Sequence, residues 1–493
     1  MAQVNAEIEQ RRRPLPPLDR WIWVIAGAVT VVLLAFAGRY GYHRDELYFL
    51  LCAHHLDWGF VDQPPLTPAI AGLVDTIAPG NLTVFRTPSA LIAGACVLLA
   101  ALIAREVGGG RAAQLLAAVL IGTSSGAFAF GHLLSTATVD VVVWLVILWL
   151  TIRVLRTGDT RWALLIGAVA GLGLLNKYLV GLLAIGLVGG ILIAGPRRLL
   201  RDRWVLAGIA IAVLLVAPNV AWQVANGFPQ LDVAGEIASG DSSYAGRPAA
   251  VALQLVIVSL IATVVWVAGL VALFRRLEWR PYRAVAWAAV VIFALVLIGG
   301  GKGYYDAAML MALTGVGAVP VVGWLNRGRV VLRRVVLGSA VVFCAVGDAM
   351  LMLPILPASS VPDALVAVNY DAGETIGWPA MVESVERVTP PGAVVVTSNY
   401  GEAGAISRYG SVPVYSGHMS VADFRRPPES ADVAVVVGYE EPGYLRRFFG
   451  SVERAGSVDV GVDVDNEENG APIWLCRDPL EPWSSIWPQL RRV

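Results

Sequence analysis

Charge is scarce in this chain, and lysine scarcer still. Only 15% of the 493 residues are Asp, Glu, Lys or Arg, and just two of the 37 basic positions, Lys177 and Lys302, are lysine. With 57% hydrophobic residues and a mean hydropathy of +0.66, so little charge excludes a soluble globular domain and requires a polytopic membrane protein. The net charge is zero, and no nucleic acid is expected as a partner. The four cysteines show no zinc spacing: Cys96 and Cys344 fall in apolar runs, and nothing in the spacing supports a bridge between Cys52 and Cys476. There is no GxGxxG and no P-loop, since Gly108-Gly109-Gly110 lacks the Lys-Ser/Thr that a phosphate cradle needs. No internal repeat or low-complexity tract interrupts the chain. No small-residue cleavage pattern follows the first apolar run, so a retained helix is expected there rather than a cleaved signal peptide.

What is present is apolar sequence in blocks. Eleven segments, at about 21–38, 88–104, 113–131, 138–155, 162–175, 178–195, 204–222, 250–274, 284–300, 306–325 and 331–354, are expected to cross the membrane as helices. The first would rise roughly 27 Å at ~1.5 Å per residue. Of the 27 basic residues before position 358, 21 lie on one alternating set of connections, including Arg11–Arg13, Arg105 and Arg111. The positive-inside rule places that set in the cytoplasm. The expected organisation is a cytoplasmic tail over 1–20, a membrane domain over 21–357 with an outer loop at about 39–87, and an extracytoplasmic domain over 358–493. The setting is the cytoplasmic membrane, crossed many times.

This orientation gathers the unusual chemistry on the outer face. There lie the adjacent carboxylates Asp45 and Glu46, the link 132–139 leading to Asp140, Asn176-Lys177-Tyr178, the loop 222–248, and Gly301-Lys302-Gly303-Tyr304-Tyr305-Asp306. Ionisable groups near membrane depth are costly and line cavities or reaction sites, so these become the functional candidates. Each has a plainer alternative. Asp45 and Glu46 also suit the positive end of a helix dipole, Lys177 and Lys302 also suit snorkelling, and Tyr48 and Trp58 suit an interfacial aromatic belt. His54-His55 beside Asp57 and Asp62 could be imagined as a metal cluster, but adjacent loop histidines are more often polar surface. No metal or other cofactor is assigned, with a divalent ion as the alternative.

From about residue 358 the composition becomes that of a soluble domain, with 19 acidic and 10 basic residues. β-rich runs at 392–397, 431–437, 458–464 and 473–476 alternate with helical patterns at 381–388 and 444–453, which predicts a small α/β layer. Glu402 and His418, in Gly- and Asn-containing turns after strands, are further candidates, though such turns also collect these residues for structural reasons.

Several motifs carry a resemblance. DELYFLLCAHHLDWGFVDQPPLTPAI (45–70), RTPSALIAGA (86–95), the Asp140 segment, GLGLLNKY (171–178) and GKGYYDAAMLMALTGVGAV (301–319) resemble the GT-C integral-membrane glycosyltransferases. More narrowly they are similar to bacterial relatives of protein O-mannosyltransferases and lipid A aminoarabinose transferases. Segments 398–405 and 414–418 look like the outer domain of one bacterial branch. The resemblance implies transfer of a sugar from a polyprenyl-phosphate donor to an acceptor hydroxyl on a protein, glycan or lipid, without a cofactor and with inversion at the sugar. It places the family's catalytic aspartate on Asp45, with Glu46 orienting acceptor or sugar. Arg86, Lys177 and Lys302 would meet the leaving phosphate, Asp140 would serve as an anchor or second carboxylate, and Tyr304 and Tyr305 would add hydroxyl donors and an apolar wall.

Two other classes stay open from the residues alone: a transporter or flippase of a lipid-linked sugar, and a non-catalytic sugar-binding membrane protein. The concentration of charge at outer helix ends, and the lack of paired broken helices in two halves, argue against transport.

Overall fold

The structure is a computed structural model that describes residues 15–239, 246–299 and 301–492. Arg11–Arg13 of the basic tail and positions 240–245 of the 222–248 loop lie outside the described residues. The chain divides into two compact units. One comprises 1–35, 86–225 and 234–353; the other comprises 36–85, 226–233 and 354–493.

The first unit is helical. Among the described residues, six helices are long and apolar enough to cross a membrane: Leu82–Glu106, Thr136–Thr157, Arg203–Ala225, Leu277–Ile298, Ala307–Leu325 and Val330–Met352. A seventh span arises if the bent pair Arg111–Gly122 and Ser125–His132 is taken as one. This corrects the expected eleven. The remaining expected segments are helical but short: Trp21–Ala37, Trp162–Leu174, Leu179–Ala194 and Leu260–Arg275 have 17, 13, 16 and 16 residues. Thirteen residues rise only ~20 Å, well under the ~30 Å of a hydrocarbon core.

Two of the expected segments are broken. The bent pair turns by 55° at Thr123–Ser124. There Ser124, within Gly122-Thr123-Ser124-Ser125-Gly126, is an extended N-cap whose hydroxyl accepts the Ala127 N–H at 3.1 Å and starts a new helix. The expected 250–274 segment is interrupted before Leu260 by Ser259, whose φ is 107°.

Helices of this unit approach closely through small residues, the usual means of packing where lipid tails are as apolar as the side chains. A Cβ on Gly167 would lie 2.0 Å from the Gly208 carbonyl oxygen, and one on Gly317 would lie 1.9 Å from that of Val265. Glu106 accepts from Arg153 at 3.0 Å and from Arg156 at 2.6 Å, fastening the ends of the helices Thr87–Glu106 and Thr136–Thr157.

The second unit holds the β structure. Its five strands are β1 (Val394–Thr397), β2 (Val414–Ser416), β3 (Val433–Val437), β4 (Phe449–Ser457) and β5 (Pro472–Pro479), in the order β2-β1-β3-β5-β4. β1 runs parallel to both β2 and β3, while β5 is antiparallel to β3 and β4. Helix Trp483–Leu490 puts Trp483, Ile486, Trp487 and Leu490 into a core with Val394, Val396, Val436 and Cys476. All four cysteines are free thiols.

Two assignments change relative to the sequence reading. The helical pattern expected at 444–453 is a short helix, Pro442–Leu445, followed by strand β4. Pairing along β5, with a bulge at Arg454/Gly456, overrides helix propensity there. The run 458–464 is not a strand, although Val458, Val460 and Val464 are buried; Gly461, at φ +78°, turns the chain away from a ladder.

Candidate active site

Asp45 stands at the head of helix Arg44–His54, in the second unit. That helix begins with a capping box. His43 Nδ1 accepts the Asp45 N–H at 3.2 Å, and Glu46 Oε2 accepts the His43 N–H at 2.8 Å. Glu46 is fully buried in this cap. Asp45 is half-buried, and its Oδ1 accepts the hydroxyl of Tyr400 at 2.8 Å. The acidic pair is therefore divided by its surroundings: one carboxylate closes the helix and the other meets the Tyr400 hydroxyl.

Tyr400 starts helix Tyr400–Tyr409, which also opens with a capping box. Asn399 Oδ1 accepts the Glu402 N–H at 2.9 Å, and Glu402 Oε2 accepts the Asn399 N–H and the Ser398 hydroxyl, both at 3.0 Å. Burial raises the Glu402 carboxyl to about 7 despite these donors. Two glycines seat this helix on its neighbour. A Cβ on Gly404 would lie 2.7 Å from the Leu47 Cβ, and one on Gly401 would lie 2.9 Å from the Arg44 Cβ. His418 accepts the Tyr400 N–H through Nδ1 at 3.3 Å, and burial together with Arg492 pushes its imidazole down to about 3. It is thus a neutral acceptor.

Around this pair run two further networks. The Tyr48 hydroxyl donates to Asp62 Oδ1 at 2.6 Å, and burial raises Asp62 to about 6. Arg44 donates to Glu374 at 3.3 Å and also pairs with Glu467, which accepts the Tyr370 hydroxyl at 2.8 Å. Glu374, Glu467 and Glu468 can bring one oxygen each within 4.8 Å of the others, a group able to hold a cation, and Arg44 already supplies positive charge to it. Burial drives Glu468 well above the usual carboxylate range and raises Glu374 against the pull of Arg44. Glu467 is shifted upward by burial too, yet Arg44 and Tyr370 bring it below its ordinary value.

His54 and His55 belong to a different place. Both are exposed at the far end of helix Arg44–His54, lining a cavity of about 190 Å³ with Ser407 and Arg425. The His55 ring stacks on Phe424 at 4.4 Å. Among the described residues, the carboxylate group capable of holding a metal does not include them.

The first unit gathers the lysine-tyrosine candidates. Lys177 Nζ lies 5.4 Å from the ring centre of Tyr304 and 5.0 Å from that of Tyr305, two cation–π contacts on one ammonium. The turn carrying it is anchored by Asn176, whose side-chain amide donates to the Thr136 carbonyl at 2.8 Å. Asp140, buried on helix Thr136–Thr157, interacts electrostatically with both Lys177 and Tyr305. No described contact ties the half-buried Lys302 side chain to this group. Arg86 is fully buried before helix Thr87–Glu106, with Nη1 3.3 Å from His132 Nε2. Tyr400 and Arg44 were given no role from sequence, His132 entered only as the start of the 132–139 link, and Tyr48, expected in an interfacial aromatic belt, is instead buried. The Asn-x-x-Glu capping pattern at 399–402 could have marked the start of the Tyr400 helix, but nothing local joins position 400 to position 45.

Comparisons with known proteins agree with this architecture. Residues 62–222 match the model of the dolichyl-phosphate-mannose-protein mannosyltransferase family. The matched stretch includes Arg86, Asp140 and Lys177, and leaves Asp45, Glu46 and Lys302 outside. No curated protein matches the chain. Among solved structures, ArnT from Cupriavidus metallidurans in the apo state superposes with a TM-score of 0.62 at 13% identity, covering 92% of this chain and 97% of that one. The same protein bound to undecaprenyl phosphate gives 0.59 at 14%, covering 93% and 98%. The arabinofuranosyltransferase AftD from Mycobacteria gives 0.55 at 16%, covering 95% of this chain but 41% of its own. In fold this chain is similar to ArnT, and over residues 62–222 it is similar to the dolichyl-phosphate-mannose-protein mannosyltransferases.

Proposed function

We propose that this protein is a membrane glycosyltransferase that moves a sugar from a polyprenyl-phosphate donor to an acceptor hydroxyl at the outer face of the cytoplasmic membrane. The observation that carries the reading is Asp45, a half-buried carboxylate at the head of a capped helix, held at Oδ1 by the Tyr400 hydroxyl. In the proposed step the acceptor oxygen forms a bond to the anomeric carbon while the bond from that carbon to the phosphate oxygen breaks. The acceptor proton passes to Asp45, and the electron pair leaves with the polyprenyl phosphate, inverting the sugar. General-base help of this kind is typically worth ~10²–10⁴-fold.

The charge that builds on the departing phosphate calls for cations, and the proposal assigns this to Lys177 and Arg86, with Lys302 as an accessory charge. Tyr304 and Tyr305 hold the Lys177 ammonium and offer their hydroxyls, and Asp140 balances its charge. Glu46 acts through the helix cap, keeping Asp45 in register. Glu402 and His418 have structural roles under the Tyr400 helix, and His54 and His55 take no part in the step. The donor class is supported by the ArnT structure bound to undecaprenyl phosphate. Outward orientation is supported by the alternation of basic connections, with the tail 1–20 inside, the membrane domain 21–357, and 358–493 outside. The acceptor class is a protein, glycan or lipid hydroxyl.

The test is metabolic. Cells lacking the protein should accumulate a polyprenyl-phosphate sugar, and adding the purified protein to vesicles containing that lipid and cell-envelope acceptor should consume it with release of polyprenyl phosphate. No accumulation and no consumption would overturn the proposal.

A further inference from the structure

One group from the C-terminal part of the second unit touches the Asp45 carboxylate directly, and it is the hydroxyl of Tyr400, 2.8 Å from Oδ1. We infer that Tyr400 is a positioning residue for Asp45: by donating to Oδ1 it fixes the plane of the carboxylate and leaves Oδ2 to take the acceptor proton. This rests on the reading of Asp45 as the base. It also gives residues 354–493 a part in the chemistry, since Tyr400 belongs to that segment.

The phenol has little freedom to do anything else. Its ring stacks on Tyr48 at 4.6 Å and on His418 at 4.9 Å, and the Arg44 guanidinium lies 5.2 Å from its centre. Its own backbone N–H is held by His418 Nδ1, and Gly401 and Gly404 let its helix lie against helix Arg44–His54 at distances no larger residue would allow. A hydrogen bond from a buried hydroxyl to an ionised carboxylate is about twice as strong as one between neutral groups.

The other charges facing Asp45 do not substitute for it. On its own helix are His43, Arg44 and Glu46. Arg44 is committed to Glu374 and Glu467, and Glu46 to the cap. Asp62, from the following loop, repels Asp45, and its own oxygen is taken by Tyr48. Glu468 lies beyond Arg44 in the carboxylate group.

Protonation of Asp45 can be followed without any sugar donor. Dicyclohexylcarbodiimide reacts with protonated carboxyls, so labelling of the full chain in detergent across pH, quantified at Asp45 by peptide mass spectrometry, gives a midpoint. In Tyr400→Phe, which deletes only the donor oxygen, that midpoint should move up by about one pH unit, and turnover should fall ~10-fold with little change in KM. Tyr48→Phe is the matched control: it removes a hydroxyl from the same stack that serves Asp62, and it should leave the Asp45 midpoint in place. Should Tyr400→Phe fail to give a monodisperse size-exclusion peak, 3-fluorotyrosine placed at position 400 keeps the shape and strengthens the donor, and the midpoint should move down. An unmoved midpoint in either variant overturns the positioning role, whatever Asp45→Asn does to turnover. A moved midpoint with turnover unchanged in both Tyr400→Phe and Asp45→Asn overturns the reading of Asp45 as base, and the positioning role with it.

Discussion

The two units handle polar groups in opposite ways. In the helical unit charge is rare: buried Glu106 is matched by Arg153 and Arg156 and half-buried Lys177 by two tyrosine rings and Asp140, while the buried Asp306 carboxylate has no hydrogen-bond partner among the described residues. In the mixed unit, carboxylates crowd together. Glu374, Glu467 and Glu468 share Arg44, while Asp45, Asp62 and Glu402 each rely on hydroxyl or amide donors. The difference follows from the medium. An unmatched ion between apolar helices is expensive, whereas donors from tyrosine, serine and helix ends can hold a carboxylate in a wetter, mixed α/β setting.

The comparison can be broken at the lysines. If Lys177 is the phosphate cation, Lys177→Met should weaken use of the polyprenyl-phosphate donor by ~10–100-fold, the range of a lost hydrogen bond to a charged group. Lys177→Arg should retain more activity, because it keeps a cation with different geometry. Lys302→Met should have the smaller effect, since no described contact joins Lys302 to the Tyr304–Tyr305 pair. Donor titrations in detergent check this, and equal losses at the two lysines would erase the distinction drawn between them.

A smaller effect sharpens the account of the mixed unit. Burial raises Glu402 from its ordinary value of 4.5 to about 7, so the folded state binds a proton there more tightly than the unfolded chain. Its contribution is then most favourable below pH 4.5 and is lost as pH rises toward 7. Glu402→Gln keeps an acceptor for the Asn399 N–H and removes the titration. Thermal midpoints should be higher for the variant at pH 7 and converge with those of the unchanged protein near pH 4.5. A gap that widens toward low pH would contradict the burial argument.

Much of this was legible in the sequence because bilayers and sheets impose simple patterns. Each expected apolar segment is helical, and Val394–Thr397 and Val433–Val437 fall where β-rich runs predict strands. The break at Ser124 lies in Gly122-Thr123-Ser124-Ser125-Gly126, a small polar cluster that reading 113–131 as one apolar segment passed over. Strand Phe449–Ser457 was missed because its partner, Pro472–Pro479, lies outside any local window. Lys177 was visible as one of two lysines, and Asp45, Tyr304 and Tyr305 as polar residues near the ends of apolar segments. Tyr400 was not, because its meaning depends on two glycines that bring its helix against Leu47 and Arg44, a contact between positions more than 350 apart in sequence.

The division of labour between Asp45 and Glu46 is the centre of the account, and turnover measured beside stability tests it most directly. With a defined polyprenyl-phosphate sugar in liposomes, Asp45→Asn should lose at least ~10²-fold in kcat, in line with loss of a general base, while its thermal midpoint stays near that of the unchanged protein. Glu46→Gln should keep most of its kcat and lose about 1 kcal/mol of stability, in the range of a weakened helix cap. Near-normal kcat in Asp45→Asn, with the loss of turnover falling instead on Glu46→Gln, would contradict it.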